Sequence, residues 1–143
     1  MDKPFLLDIE EYQRWFNQAL HTLDSAGRDQ AANDFAWACF KAQQAAEYAV
    51  KALMRGLGLV SVGHSILKFL TELAQNGFEV SESLRNAARE LDRHYTPPRY
   101  PDAFPAGSPF EFYDRATSQE AIRAATLIMD YVRTTKEALA YDA

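Results

Sequence analysis

The chain has 143 residues, a length that fits one domain, residues 1–143, with a single core. Its 15 Lys and Arg against 20 Asp and Glu leave a net charge of −5, so the surface as a whole does not attract nucleic acid and any such binding needs a local basic site. One cysteine, Cys39, excludes an internal disulfide, and no run of about 18 apolar residues is present to span a membrane.

The segment Met1–Asp8 is too short and too acidic for a signal peptide, and a lone cysteine among Trp37, Ala38 and Phe40 reads as an inert buried thiol. Both point to a cytoplasmic protein. From about Asp8 to Ala26, Ile9, Tyr12, Phe16, Ala19, Leu20 and Leu23 recur at helical spacing. A second helix is predicted from about Gln30 to Arg55. Its stripe of Phe35, Ala38, Ala42, Ala45, Ala49, Leu53 and Leu57 is rich in small residues, which let another helix approach closely. That makes it central or an interface. On it, Glu47 and Lys51 stand four apart and share a face, with Gln43 one turn earlier. The spacing fits a solvated surface pair as well as a site.

A short third helix is predicted from about His64 to Asn76, with Leu67, Leu70 and Leu73 inward, and a fourth from about Ser81 to His94. Arg85, Arg89 and Arg93 form a basic stripe on the fourth, which fits a phosphate contact or ordinary pairing with Glu82 and Asp92. Arg89 and His94 also frame an Arg-x4-His spacing. An imidazole for proton transfer and a guanidinium for developing phosphate charge make a minimal kit for RNA transesterification. The fifth helix is predicted from Thr117, where Thr117-Ser-Gln-Glu120 matches a capping box. Glycines fall between these stretches and none inside one, as expected of helix ends. The sum is an all-α, antiparallel up-and-down bundle of four long helices and one short one. No alternating stretch is long enough to propose a strand.

Between the fourth and fifth helices, residues 95–116 form a connection too long to be mere linkage. It opens with Tyr95-Thr-Pro-Pro-Arg-Tyr-Pro-Asp102 and carries five of the six prolines. Pro locks the backbone, and Tyr and Arg stack on bases and clamp phosphates. Arg93, Tyr95, Arg99, Tyr100 and Asp102 are therefore candidate nucleotide contacts. Alternatively the tyrosines seal the bundle end and Arg99 pairs with Asp102. Because disordered segments are poor in aromatics, an ordered loop with its aromatics buried on the bundle is expected. No cysteine pair or His-x-x-x-His proposes a metal, and no phosphate-binding glycine loop appears.

Taken together, Gln43-Gln-Ala-Ala-Glu47 with Lys51, then Gly63-His64-Ser65, Ala88-Arg-Glu-Leu-Asp92 and Tyr95–Asp102 resemble the HEPN family in order and spacing over about residues 10–140. The resemblance implies a helical bundle, commonly a homodimer. It also implies a nucleotide or RNA ligand contacted by Glu47, Lys51 and the Tyr95–Asp102 element, a separately encoded nucleotidyltransferase partner in a toxin–antitoxin-like setting, and no cofactor. Many relatives are metal-independent ribonucleases with an Arg-x4–6-His motif. Arg89 and His94 match that spacing, although Glu90 stands where the motif usually has a polar residue after its Arg.

Overall fold

In a computed structural model, residues 5–141 are described. Five helices follow one another: α1 (Ile9–Ala31), α2 (Phe35–Gly56), α3 (Ile66–Gln75), α4 (Glu82–Asp92) and α5 (Arg115–Ala138). They confirm the all-α reading. A two-residue parallel pair, β1 (Phe5–Leu6) with β2 (Ala140–Tyr141), adds to them; two residues are too few to leave an alternating pattern in the sequence.

α2 is the central element, packing on α1, α5, α3 and α4. Its alanines Ala38, Ala42, Ala45, Ala46 and Ala49 are fully buried, and the small side chains let α1 and α5 close in on both sides. The stripe expected at either a core or an interface is core. Leu53, Met54, Phe69, Leu70, Leu73, Leu91, Ile128 and Met129 fill the rest. Cys39 lies within it, and burial, aided by Glu90 and Asp114, pushes its thiol up to about 12. That suppresses the reactive thiolate.

The α1–α2 junction and the start of α5 differ from the sequence reading. α1 runs through Gly27, which is exposed with nothing around its missing side chain, and ends at Ala31. The chain turns instead at Asn33, whose positive φ of 63° suits an Asn and whose side chain accepts from Arg115 Nη2 at 2.6 Å. A glycine inside a helix costs about 1 kcal/mol, which the long packed face of α1 outweighs. α5 starts two residues before Thr117. Its cap is Asp114, whose carboxylate accepts from Thr117 N at 2.8 Å, while Glu120 turns outward to Arg123. The reciprocal capping box is at Ser108 and Glu111, opening a 3₁₀ turn at Pro109–Phe112.

The 95–116 connection is built from that turn and another at Pro101–Ala103. Its aromatics do not all dock on the bundle as expected. Phe104 and Phe112 stack face to face on each other at 4.3 Å, and Phe110 is 72% exposed. Tyr113 does dock, meeting the His94 ring edge-on at 5.7 Å. Near the other end of the chain, Gly56 lets the N-terminal segment come close. A side chain there would stand 2.6 Å from Leu6 Cδ1, and the Gly56 carbonyl accepts from Leu7 N and Asp8 N.

Candidate functional site

Glu47 is the hub of a buried polar network. α2 places it 2% exposed, with Lys51 9% exposed one turn on. Its carboxylate accepts from Lys51 Nζ at 3.2 Å, from Gln43 Nε2 at 3.2 Å and from His64 Nδ1 at 3.3 Å. The i, i+4 pair is thus no solvated surface stripe. A buried carboxylate is tolerated because its lone pairs are filled by donors, two of them cationic or cation-forming. Gln43 also donates to the His64 carbonyl at 3.1 Å, so one amide holds both the carboxylate and the segment that faces it.

His64 is brought there by the turn before α3. Gly63 takes φ of +104°, a conformation that side chains disfavour. Asp92 at the end of α4 then fixes the segment. Its carboxylate accepts from Ser65 Oγ at 3.0 Å, Ile66 N at 2.9 Å and Leu67 N at 3.1 Å. Two first-turn amides of α3 and the hydroxyl of its N-cap Ser65 are satisfied by a carboxylate at a helix N-terminus, where negative charge is favoured. A carboxylate only accepts, so the contact with Glu47 calls for a proton on His64 Nδ1, and the half-exposed ring leaves Nε2 for another partner.

The His64 ring stacks on Tyr95 at 4.5 Å and 17°. Beyond it lies Arg99. Its guanidinium sits over Phe40 at 4.3 Å, Tyr95 at 4.7 Å and Tyr100 at 5.0 Å from the ring centroids, and its Nε donates to the Tyr95 carbonyl at 2.8 Å. Among the described residues no carboxylate pairs with it. Asp102 is exposed and makes no ion pair or hydrogen bond with it, so the alternative pairing of Arg99 with Asp102 does not form. A guanidinium held over rings by one nitrogen keeps its two terminal nitrogens for an anionic partner.

The sequence-derived site residues therefore divide. Lys51, Glu47, Tyr95, Arg99 and Tyr100 join one chain of contacts, linked through His64. Arg89, Arg93 and His94 do not. Arg89 donates to Glu82 at 3.0 Å and to Asn86 at 2.7 Å, and Arg93 pairs with Glu90 at 2.8 Å. His94 is 6% exposed, and its Nε2 lies 3.4 Å from Glu90 Oε1. With the proton on Nε2, its Nδ1 is buried without a partner among the described residues. Burial lowers its pKa, although Glu90 works against that shift. Within the single chain, the buried imidazole and the outward arginine have separate partners and do not meet. His64 and Phe40 were not singled out from the sequence; an isolated His carries no spacing signal, and only the Gly63-His64-Ser65 match hinted at the first. Among the described residues no cluster of three or more His, Cys, Asp or Glu is arranged to hold a metal ion, and no helix is long and apolar enough to cross a membrane.

The five-helix bundle with a polar network beneath an arginine–aromatic loop defines a helical domain of the HEPN type. The HEPN domain family pattern matches residues 12–135, and the chain belongs to that family. A solved protein from Thermus thermophilus is 44% identical, superposes with a TM-score of 0.83, and aligns over 86% of this chain and 96% of its own. An archaeal HEPN homologue is 33% identical with a TM-score of 0.75, over 87% of this chain and 97% of that one. A HEPN domain protein from Thermotoga maritima is 33% identical with a TM-score of 0.72, over 88% and 99% respectively. None of the curated proteins compared with the chain matches it.

Proposed function

We propose that this chain is a nucleotide- or RNA-binding module whose ligand phosphate is taken by Arg99, with its base on the neighbouring rings. The observation that carries this reading is Arg99 itself. In a protein of net charge −5, one guanidinium has no carboxylate partner among the described residues and lies on three aromatic faces. A phosphate on its terminal nitrogens would gain charge-assisted hydrogen bonds worth about 1.5–3 kcal/mol. A base stacked on the half-exposed Tyr100 would add about 1–3 kcal/mol. The half-exposed His64 ring offers Nε2 for a hydrogen bond to ribose or base, and Glu47, Lys51 and Gln43 hold His64 in place.

Family membership supports a homodimer with a separate nucleotidyltransferase partner as the setting, although the helix-two alanines that suggested a dimer surface are occupied inside the chain. The ribonuclease alternative through Arg89 and His94 has less support, because His94 is buried and Arg89 is bound to Glu82 and Asn86.

Titrating adenosine monophosphate and short RNA by calorimetry, with melting curves alongside, tests the reading. Arg99→Ala is expected to weaken binding by about tenfold or more, at 1.4 kcal/mol per decade. Arg99→Lys keeps the charge but loses the planar fork, and is expected to recover only part of the affinity. Absent binding in the wild type, or unchanged affinity in a folded Arg99→Ala protein, refutes it. A lowered melting temperature with no selective loss of affinity means that Arg99 merely locks the loop.

A further inference from the structure

The two tryptophans of this chain are treated very differently. Trp15 is half-buried, donates its indole N–H to Glu11 Oε1 at 3.0 Å, and lies under the Arg55 guanidinium at 4.3 Å. Trp37 is 46% exposed, and its indole N–H has no acceptor among the described residues. An indole is a large apolar payload that proteins seat when they can, and an exposed one with a free N–H is suited to a face that meets something.

Its position says what. α2 sets Trp37 one turn before Phe40, with the ring centroids 6.1 Å apart and edge-on. Phe40 is one of the rings under Arg99, and it lies 6.3 Å from Tyr95, which in turn stacks on His64. The ring contacts thus run unbroken from exposed Trp37 to half-exposed His64, with an unpaired guanidinium over the middle. The two wider steps are strongly tilted, 75° between Trp37 and Phe40 and 48° between Phe40 and Tyr95, so neighbouring rings do not sandwich one base between parallel faces. Rings set at such angles offer separate faces to different bases of one strand. Stacking faces alternating with positive charge are how proteins track single strands without reading sequence.

We propose that Trp37 is a second base-stacking subsite, and that the ligand of the Arg99 site is a single-stranded oligonucleotide of two or more nucleotides rather than a mononucleotide. The inference rests on the nucleotide reading of Arg99. On this account one phosphate lies on Arg99, one base rests by Tyr100 and His64, and the adjoining base covers Trp37.

The experiment compares adenosine monophosphate with end-labelled triadenylate on wild type, Trp37→Ala, Trp37→Phe and Arg99→Ala, by anisotropy and competition, with solution mass measured by sedimentation. Wild type is expected to bind triadenylate about tenfold or more tighter than the mononucleotide. Trp37→Ala brings triadenylate down to that variant's mononucleotide value, Trp37→Phe restores most of the gain, and Arg99→Ala weakens both ligands. Mononucleotide binding with no gain for triadenylate overturns the second subsite and leaves the Arg99 reading standing. Equal loss of both ligands in Trp37→Ala overturns it too, as does a fall in solution mass in that variant, which would put a second copy of the chain on Trp37. No binding of either ligand to wild type overturns both proposals.

Discussion

α2 carries an acid and a base four residues apart, and so does the end of α4 with the turn that follows it; the two pairs have opposite fates. Glu47 with Lys51 is buried at the centre of a filled network that reaches His64 and, through it, Tyr95. Glu90 with His94 is a long contact of 3.4 Å that leaves one ring nitrogen unanswered in the core. The spacing is the same, so the helix repeat does not decide the outcome. What decides it is the supply of further donors: Gln43 and His64 converge on Glu47, whereas Glu90 also turns outward to Arg93. The satisfied network holds His64 against Tyr95. The unsatisfied one anchors a loop at a standing cost.

The largest effect that would test this contrast is Glu47→Ala. It leaves Lys51 and Gln43 buried without their acceptor, and is expected to cost about 3–5 kcal/mol in denaturant unfolding. A loss near zero would mean that water fills the network and that it holds nothing. Next comes Asp92→Ala, which strips three donors at the start of α3. About 1–3 kcal/mol should be lost, with faster amide exchange at Ile66 and Leu67, and protection unchanged at those two amides would count against the capping role.

His94 sharpens the other half of the contrast through pH. Burial holds its folded pKa below the ordinary histidine value, so the unfolded chain binds more protons as acid is added. Stability is therefore complete above the ordinary histidine range. It declines as pH falls through that range toward the depressed folded value. His94→Phe removes both the orphan nitrogen and this titration, so its stability profile across that window should be flatter than wild type; an identical slope would show that another group is responsible. The smallest effect is expected from Arg89→Ala, whose ion pair with Glu82 is exposed. Melting should change by no more than about 0.5 kcal/mol, and a larger loss would reveal a role that its contacts do not show.

Much of the fold was legible because helical periodicity survives in every stretch and the proline-rich connection stands out. The α1–α2 boundary was not. Gly27 looks like a stop, but a solvent-facing glycine ends nothing when the face opposite it is packed, and the turn at Asn33 has no comparable signature. In the site, Arg99, Tyr95 and Tyr100 announced themselves by residue type. The burial of Glu47 and Lys51 did not, since a repeat of four says which residues are neighbours and not whether water reaches them. Arg89 and His94 part within the chain for the same reason: past the end of α4 one side chain enters the core beside Tyr113, while the other stays in solvent on the helix.

The long connection between α4 and α5 is closed twice by side chains, at its neck by His94 on Tyr113 and further out by Phe104 on Phe112. Nested clasps of this kind separate the outermost segment from the body mechanically. Since the entropy of closing a flexible loop grows only logarithmically, doubling its length costs about 0.6 kcal/mol. A peptide insertion between Pro105 and Ala106, both exposed, would leave the Ser108–Glu111 box and both clasps in place. The same stretch of chain can therefore be a fixed platform at its base, where Arg99 sits, and a tolerant graft point at its tip.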